Sequence, residues 1–219
     1  MQPEDRERLI VAEATRYFAE QGIAAGTLGL ARRLGISQPL LYKYFPTKDA
    51  LVEKVFEGLF PGAWDPRWES LLDDQSLPVR DRLALFYKDF AKLVLTYEHV
   101  RLFLFSGLAN LGFNSRYYQI LTRRIFTRIA RALRSELAGD KSRRHGRITD
   151  RELEIVQSLH AAVYHLGFRR WVHNEPFGRD LDRLIDLKVE AFLHGAKSLL
   201  GERADAPTAR KPSRIKTPA

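Results

Sequence analysis

The 219-residue sequence contains no cysteine. That absence excludes disulfides, thiol nucleophiles and cysteine-held metal sites. Signatures that mark many enzymes are missing too: there is no glycine-rich phosphate loop, no Gly-x-Ser-x-Gly elbow and no His-Glu-x-x-His pair. Histidine is scarce, and His160 and His165, five apart, fall on different faces of a helix, so neither a metal nor a cofactor is expected. No window approaches the ~20 uninterrupted apolar residues of a membrane span. The charged start, Glu4 to Arg8, is unlike a signal peptide, and the expected location is the cytoplasm. What remains is a chain with an ordinary 45% of hydrophobic residues, enough for one small and one larger unit.

A net charge of +9 suggests a polyanionic partner, but its distribution qualifies that reading. Residues 1–60 are electrically balanced. The excess lies in residues 114–147, where ten cations face only Glu136 and Asp140, and in the tail from Glu202. One alternative is therefore a helical adaptor that binds polyanions or membrane surfaces through arginines 116–147; the exposed face of an amphipathic helix is the other reading of the same pattern.

The most informative stretch is LARRLGISQPLLYKYFPTKDAL, residues 30–51. Leu30, Ala31 and Leu34 recur at helical spacing, and Gly35 can take the left-handed conformation that ends a helix. Ser37 is suited to cap the next helix, whose first turn tolerates Pro39 because its amides have no partners there. Leu41 and Phe45 can bury together, leaving Gln38, Pro39, Leu40 and Lys43 outward. Glutamine can bond adenine bidentately and apolar groups can meet thymine methyls, so this face favours steps containing A·T pairs. Pro46 and Thr47 break and recap the chain, so that Lys48 and the free amides of a third helix lie where a phosphate is favoured.

Over residues 5–55 this pattern resembles the TetR family of transcriptional regulators, with Leu41-Tyr42-Lys43-Tyr44-Phe45 followed by Thr47-Lys48-Asp49-Ala50-Leu51 as the signature. The resemblance implies an all-α fold: a three-helix, helix-turn-helix DNA-binding domain over residues 1–60 and a larger helical ligand-binding and dimerisation domain over 61–201. It also implies base contacts from Gln38, Pro39 and Leu40 and phosphate contacts from Tyr42, Lys43, Tyr44 and Lys48, with Ser37 at the start of the reading helix and Thr27 at the start of the preceding one. The implied partners are a double-stranded palindromic operator and a second copy of the chain, and the implied role is that of a ligand-responsive repressor. The front of the motif departs from the family. Gly26-Thr27-Leu28-Gly29 puts a glycine inside the first turn, costing up to about 1 kcal/mol relative to alanine, and a leucine where a polar backbone contact is usual.

Helical periodicity continues beyond the motif. A first helix from Arg6 to Glu20 places Ile10, Ala14, Tyr17 and Phe18 on one face. Pro61, Gly62 and Pro66 interrupt the pattern and mark the expected domain boundary. Leu83 to Tyr97, Leu102 to Leu108 and residues 114–138 then read as helices. Phe86, Phe90, Phe103, Tyr117 and Leu121, joined by His160, Tyr164 and Trp171, are the candidate lining of a cavity for an apolar or aromatic molecule; filling the core is the alternative use of the same side chains. Arg116, Arg123 and Arg124 are candidates to meet a negative group on it. The helices expected at 150–174 and 180–200 are apolar on two sides, and a homodimeric four-helix interface would cover the second stripe, unless the monomer itself does. The tail over 202–219, rich in proline and basic residues, is too polar to order itself.

Overall fold

The computed structural model describes residues 2–59, 64–137, 146–175 and 180–201. It is helical throughout, with no strand among the described residues. The elements are α1 (Pro3–Gln21), α2 (Thr27–Leu34), α3 (Gln38–Tyr44), α4 (Lys48–Leu59), α5 (Arg67–Asp73), α6 (Val79–Val94), α7 (Tyr97–Leu108), α8 (Phe113–Leu121), a π-helical segment (Thr122–Phe126), α9 (Thr127–Leu137), α10 (Asp150–Trp171) and α11 (Leu181–Gly201). The expected boundary falls partly outside the described residues, as does the tail. Two elements were not foreseen: α5, which buries Trp68 and Leu72 at one-turn spacing, and the π-helical interruption.

The π segment has a physical cause legible in the side chains around it. Tyr117, Leu121, Ile125, Ile129 and Leu133 recur every fourth residue and are all buried. At roughly 100° per residue, an i, i+4 row drifts about 40° at each step, so an unbroken α-helix would carry this row round to solvent. The underwound π turn resets it, and Thr127 Oγ1 donates to the Thr122 carbonyl at 2.7 Å, which satisfies the loosened backbone.

A single apolar cluster runs from Ile10 in α1 to Val189 in α11, with members on both sides of the expected boundary. Trp68, Phe86, Phe90 and Phe126 form its aromatic centre. Four arginines of the basic stretch tie elements together. Arg124 and Arg128 pair with Glu69 of α5, and Arg116 pairs with Glu53 of α4. Arg134, buried, binds Glu152 and the carbonyls of Gly146 and Arg147, fastening the end of α9 to the start of α10. Burial alone would raise the Glu152 carboxyl, but hydrogen bonds from Arg134 and from Thr149, which caps α10, hold it below its usual range.

The second apolar stripe of α10 is not left for a partner: Ile155, Leu159 and Leu166 are buried by the chain's own helices. The exposed side of α10 carries Ser158, Ala161 and His165 instead, and that of α11 carries Leu187, Ala191 and Gly195. Similarly, Leu93 lies outside the buried face of α6, being 45% exposed.

Two histidines sit inside this core. Burial pushes His99 down to about 3 and His160 down to about 4, so both are neutral in the folded chain. Because these folded values lie below the unfolded value of 6.5, the unfolded chain takes up protons first as pH falls. Their contribution to stability is complete above that value and is lost as pH falls towards about 4. Urea midpoints are expected to decline from neutral pH to about 5, and less steeply in His160→Leu. An identical pH slope in the variant would contradict the assignment to His160.

Candidate nucleic-acid interface

Between α2 and α3 the chain turns at Gly35, whose φ of 66° and ψ of 30° lie in the left-handed region. The Ile36 N–H donates back to the Ala31 carbonyl at 3.0 Å, closing the helix end. Ser37 Oγ accepts from the Leu40 N–H at 3.3 Å, which starts α3. Leu41 and Phe45 anchor this short helix in the core. Pro39, Tyr42 and Lys43 are exposed, while Gln38, Leu40 and Tyr44 are half-buried. Thr47 Oγ1 then accepts from the Ala50 N–H at 3.0 Å, and Lys48 at the start of α4 holds its ammonium 5.8 Å from the Phe18 ring centroid.

Thr27 occupies a different position from the other candidates. It is buried, and its hydroxyl accepts from Gln38 Nε2 at 2.9 Å while lying 2.9 Å from the Tyr42 hydroxyl. It therefore braces two exposed-side groups of α3 from behind. Gln38 can present its carbonyl oxygen outward with this bond intact, but a bidentate contact requires the amide nitrogen to leave Thr27.

Tyr17 and Gly29 complete the support of α2 and were not anticipated as a pair. The Tyr17 hydroxyl donates to the Gly26 carbonyl at 3.0 Å, across the first turn of α2. A Cβ on Gly29 would lie 2.3 Å from that hydroxyl and 3.2 Å from the ring carbon bearing it. The glycine that weakens the helix by propensity is thus what lets Tyr17 reach the turn. Leu28 beside it is 48% exposed.

Charge in this unit is balanced overall. Arg33 bonds Glu13 and Glu20, and its hydrogen bond to Glu20 holds that carboxyl below the usual range. Arg32, Lys43 and Lys48 form no ion pair among the described residues. Arg33 thus neutralises Glu13 and Glu20 at the α1–α2 contact, while α4 carries Asp49 beside Lys48.

The same α4 meets the rest of the molecule through Phe56, which stacks on Phe113 of α8 with centroids 4.0 Å apart and planes 9° from parallel. Arg116 lies 4.5 Å over the Phe113 ring and reaches Glu53 at 3.3 Å. Arg101 of α7 adds a bond to the Ala19 carbonyl of α1 at 2.6 Å.

The eight candidate cavity residues do not form one lining. Phe86, Phe90 and Leu121 are fully buried, Phe86 against Trp68 at 5.4 Å and Phe90 against His160 at 5.1 Å between centroids. Trp171 is elsewhere, donating to the Leu95 carbonyl at 2.8 Å and packed on Tyr97. Phe103 and Tyr164 line a cavity of about 280 Å³, His160 lines another of about 260 Å³, and Tyr117 packs behind Phe103. Arg116, Arg123 and Arg124 line neither of these spaces.

Residues 10–55 match the model of the bacterial regulatory proteins of the tetR family. A relative, the HTH-type transcriptional regulator EthR of Mycolicibacterium smegmatis (strain ATCC 700084 / mc(2)155), is 32% identical over 91 residues, 40% of this chain and 42% of that protein. The match thus spans less than half the relative's length. In fold, the chain is similar to a solved structure from Mesorhizobium loti MAFF303099 assigned to the TetR family, with a TM-score of 0.55 and 19% identity over 89% of this chain and 98% of that one. It is also similar to a transcriptional regulator (TerR/AcrR family) from Aquifex aeolicus VF5, with a TM-score of 0.52 and 16% identity over 88% of this chain and 98% of that one.

The Tyr17–Gly29 contact predicts non-additive stabilities. Gly29→Ala alone should gain little or lose stability, because the propensity gain of up to about 1 kcal/mol is offset by displacing Tyr17. In a Tyr17→Leu background the same change should recover most of that gain. Equal effects of Gly29→Ala in both backgrounds, measured by urea denaturation, would remove the contact as the reason for the glycine.

Proposed function

We propose, from the premise that this chain belongs to the TetR family of bacterial regulatory proteins through residues 10–55, that it is a DNA-binding transcriptional regulator that binds a palindromic operator as a homodimer and is released by a small molecule. The observation that carries this reading is the presentation of α3. Its inner side is anchored by Leu41 and Phe45, while Pro39, Tyr42 and Lys43 are open to solvent.

In this reading Gln38, Pro39 and Leu40 meet base edges in the major groove. Tyr42, Lys43, Tyr44 and Lys48 meet phosphates, and the Ser37 hydroxyl can donate to one while its oxygen still caps α3. A balanced head with a few placed cations should show a moderate salt dependence. The second copy is accommodated by the exposed side of α10 and α11, where Ser158, Ala161, Ala191 and Gly195 allow close approach and Leu187, 65% exposed, supplies apolar area.

Regulation follows from α4 being shared between head and body. A ligand that displaces α8 moves Phe113, and with it Phe56 and the helix that begins at Lys48. Its leverage is its difference in affinity between the conformer whose heads match successive grooves and the one whose heads do not.

Selection of bound sites from random duplexes with the full chain tests the core of the proposal. Inverted half-sites about 10 base pairs apart, or a multiple of that, are expected. Gln38→Ala should cost about 1 to 3 kcal/mol and relax one position in each half-site, while Lys48→Ala should weaken all sequences alike. Recovery of sequences with no common motif would defeat the reading. For regulation, Phe113→Ala should leave effector binding within a few-fold while reducing the effector's influence on operator affinity. Undiminished release of DNA in that variant would exclude the stack as the route.

A further inference from the structure

The two small cavities lie in succession along one seam. On α8 the lining advances by one turn, from Asn114 to Tyr118, and on α10 it runs the opposite way, from Tyr164 back to His160. What separates them is aromatic. Phe103 lies 5.6 Å from Tyr164 and 6.0 Å from Tyr118, and Tyr164 stacks against His160 at 6.4 Å. Each space alone is at or below the lower end of the ~300–1,000 Å³ typical of ligand pockets, and the two joined are well within it. Rotation of the Tyr164 or Tyr118 side chain is the smallest change that joins them.

The seam also concentrates polar atoms with nothing to bond. Asn114 donates to the Phe103 carbonyl at 2.9 Å, but its amide oxygen is buried without a hydrogen-bond partner among the described residues. The same holds for the Tyr164 hydroxyl and for His160 Nδ1. Buried polar groups are almost always satisfied, because each unsatisfied one is a standing cost of the packed state. Here three recur at successive levels of one seam, beside the spaces a ligand would occupy.

Charge then narrows the class. No lysine or arginine lines either cavity among the described residues, whereas Glu154 lines the second. An anionic molecule would be held there without a counter-ion and beside a carboxylate. We infer that the two cavities are halves of one chamber, partitioned by Tyr164, that takes an uncharged molecule with a flat apolar body and a hydroxyl or amide able to bond Tyr164, Asn114 and His160. This rests on the reading of the chain as a ligand-responsive regulator, and it replaces the expectation of a negatively charged effector.

Three naphthalenes on the full chain test it: 2-naphthol, naphthalene and 2-naphthoate, titrated by fluorescence. Expected is binding of 2-naphthol that weakens about five- to tenfold in Tyr164→Phe, the loss typical of one hydrogen bond, with naphthalene affinity unchanged in the same variant. 2-Naphthoate should bind most weakly of the three. The inference is overturned if 2-naphthoate binds as tightly as 2-naphthol, if Tyr164→Phe affects naphthol and naphthalene alike or neither, or if none binds up to its solubility limit. The titrations contain no DNA, so their failure leaves the operator selection intact, and a failed selection leaves them interpretable.

Discussion

Rigid attachment of α3 to the molecule behind it is the constraint on which everything else depends. A seven-residue helix cannot be stable alone, since helix nucleation is costly and its own hydrogen bonds are few. Leu41 and Phe45 give it an apolar anchor, Thr27 braces Gln38 and Tyr42, and Tyr17 secures the turn of α2 against which it packs. The apolar cluster continues from there through α4 to Phe113 without a break. Phe113 and the helix that begins at Lys48 are thus joined by continuous packing.

Arginine joins helices in both parts of this chain. In the N-terminal unit, Arg33 of α2 pairs with Glu13 and Glu20 of α1 and joins the two helices. In the body, Arg116, Arg124, Arg128 and Arg134 bind acidic groups of other helices. The exposed pairs contribute little each, whereas breaking the buried Arg134–Glu152 pair would leave a charge without a partner. A polyanion-binding adaptor would need those guanidinium groups free, and Arg123 and Arg131 are the members of the stretch up to α9 that form no ion pair among the described residues.

The aromatic body is neither a plain core nor an open pocket. Around Phe90 and Phe126 it is closely packed, and towards Tyr164 and Tyr118 it loosens into two small spaces bordered by unsatisfied polar atoms. The π turn that follows α8 belongs to the same logic. It keeps the fourfold row of Tyr117 to Leu133 inside and allows α8 and α9 to present their side chains at different rotations.

The sequence by itself determined the helical class, the turn at Gly35, the caps at Ser37 and Thr47 and the anchoring of Leu41 and Phe45, because each is set by contacts within about four residues. Its fourfold apolar row also contained the signal for the π segment. Only tertiary structure decided why Gly29 is a glycine, that Thr27 faces inward, that the second stripe of α10 is covered by its own chain and that Arg116, Arg124, Arg128 and Arg134 are spent on internal pairs. Each of those depends on which distant side chain arrives opposite, and residue spacing along one helix carries no record of its neighbours across the core.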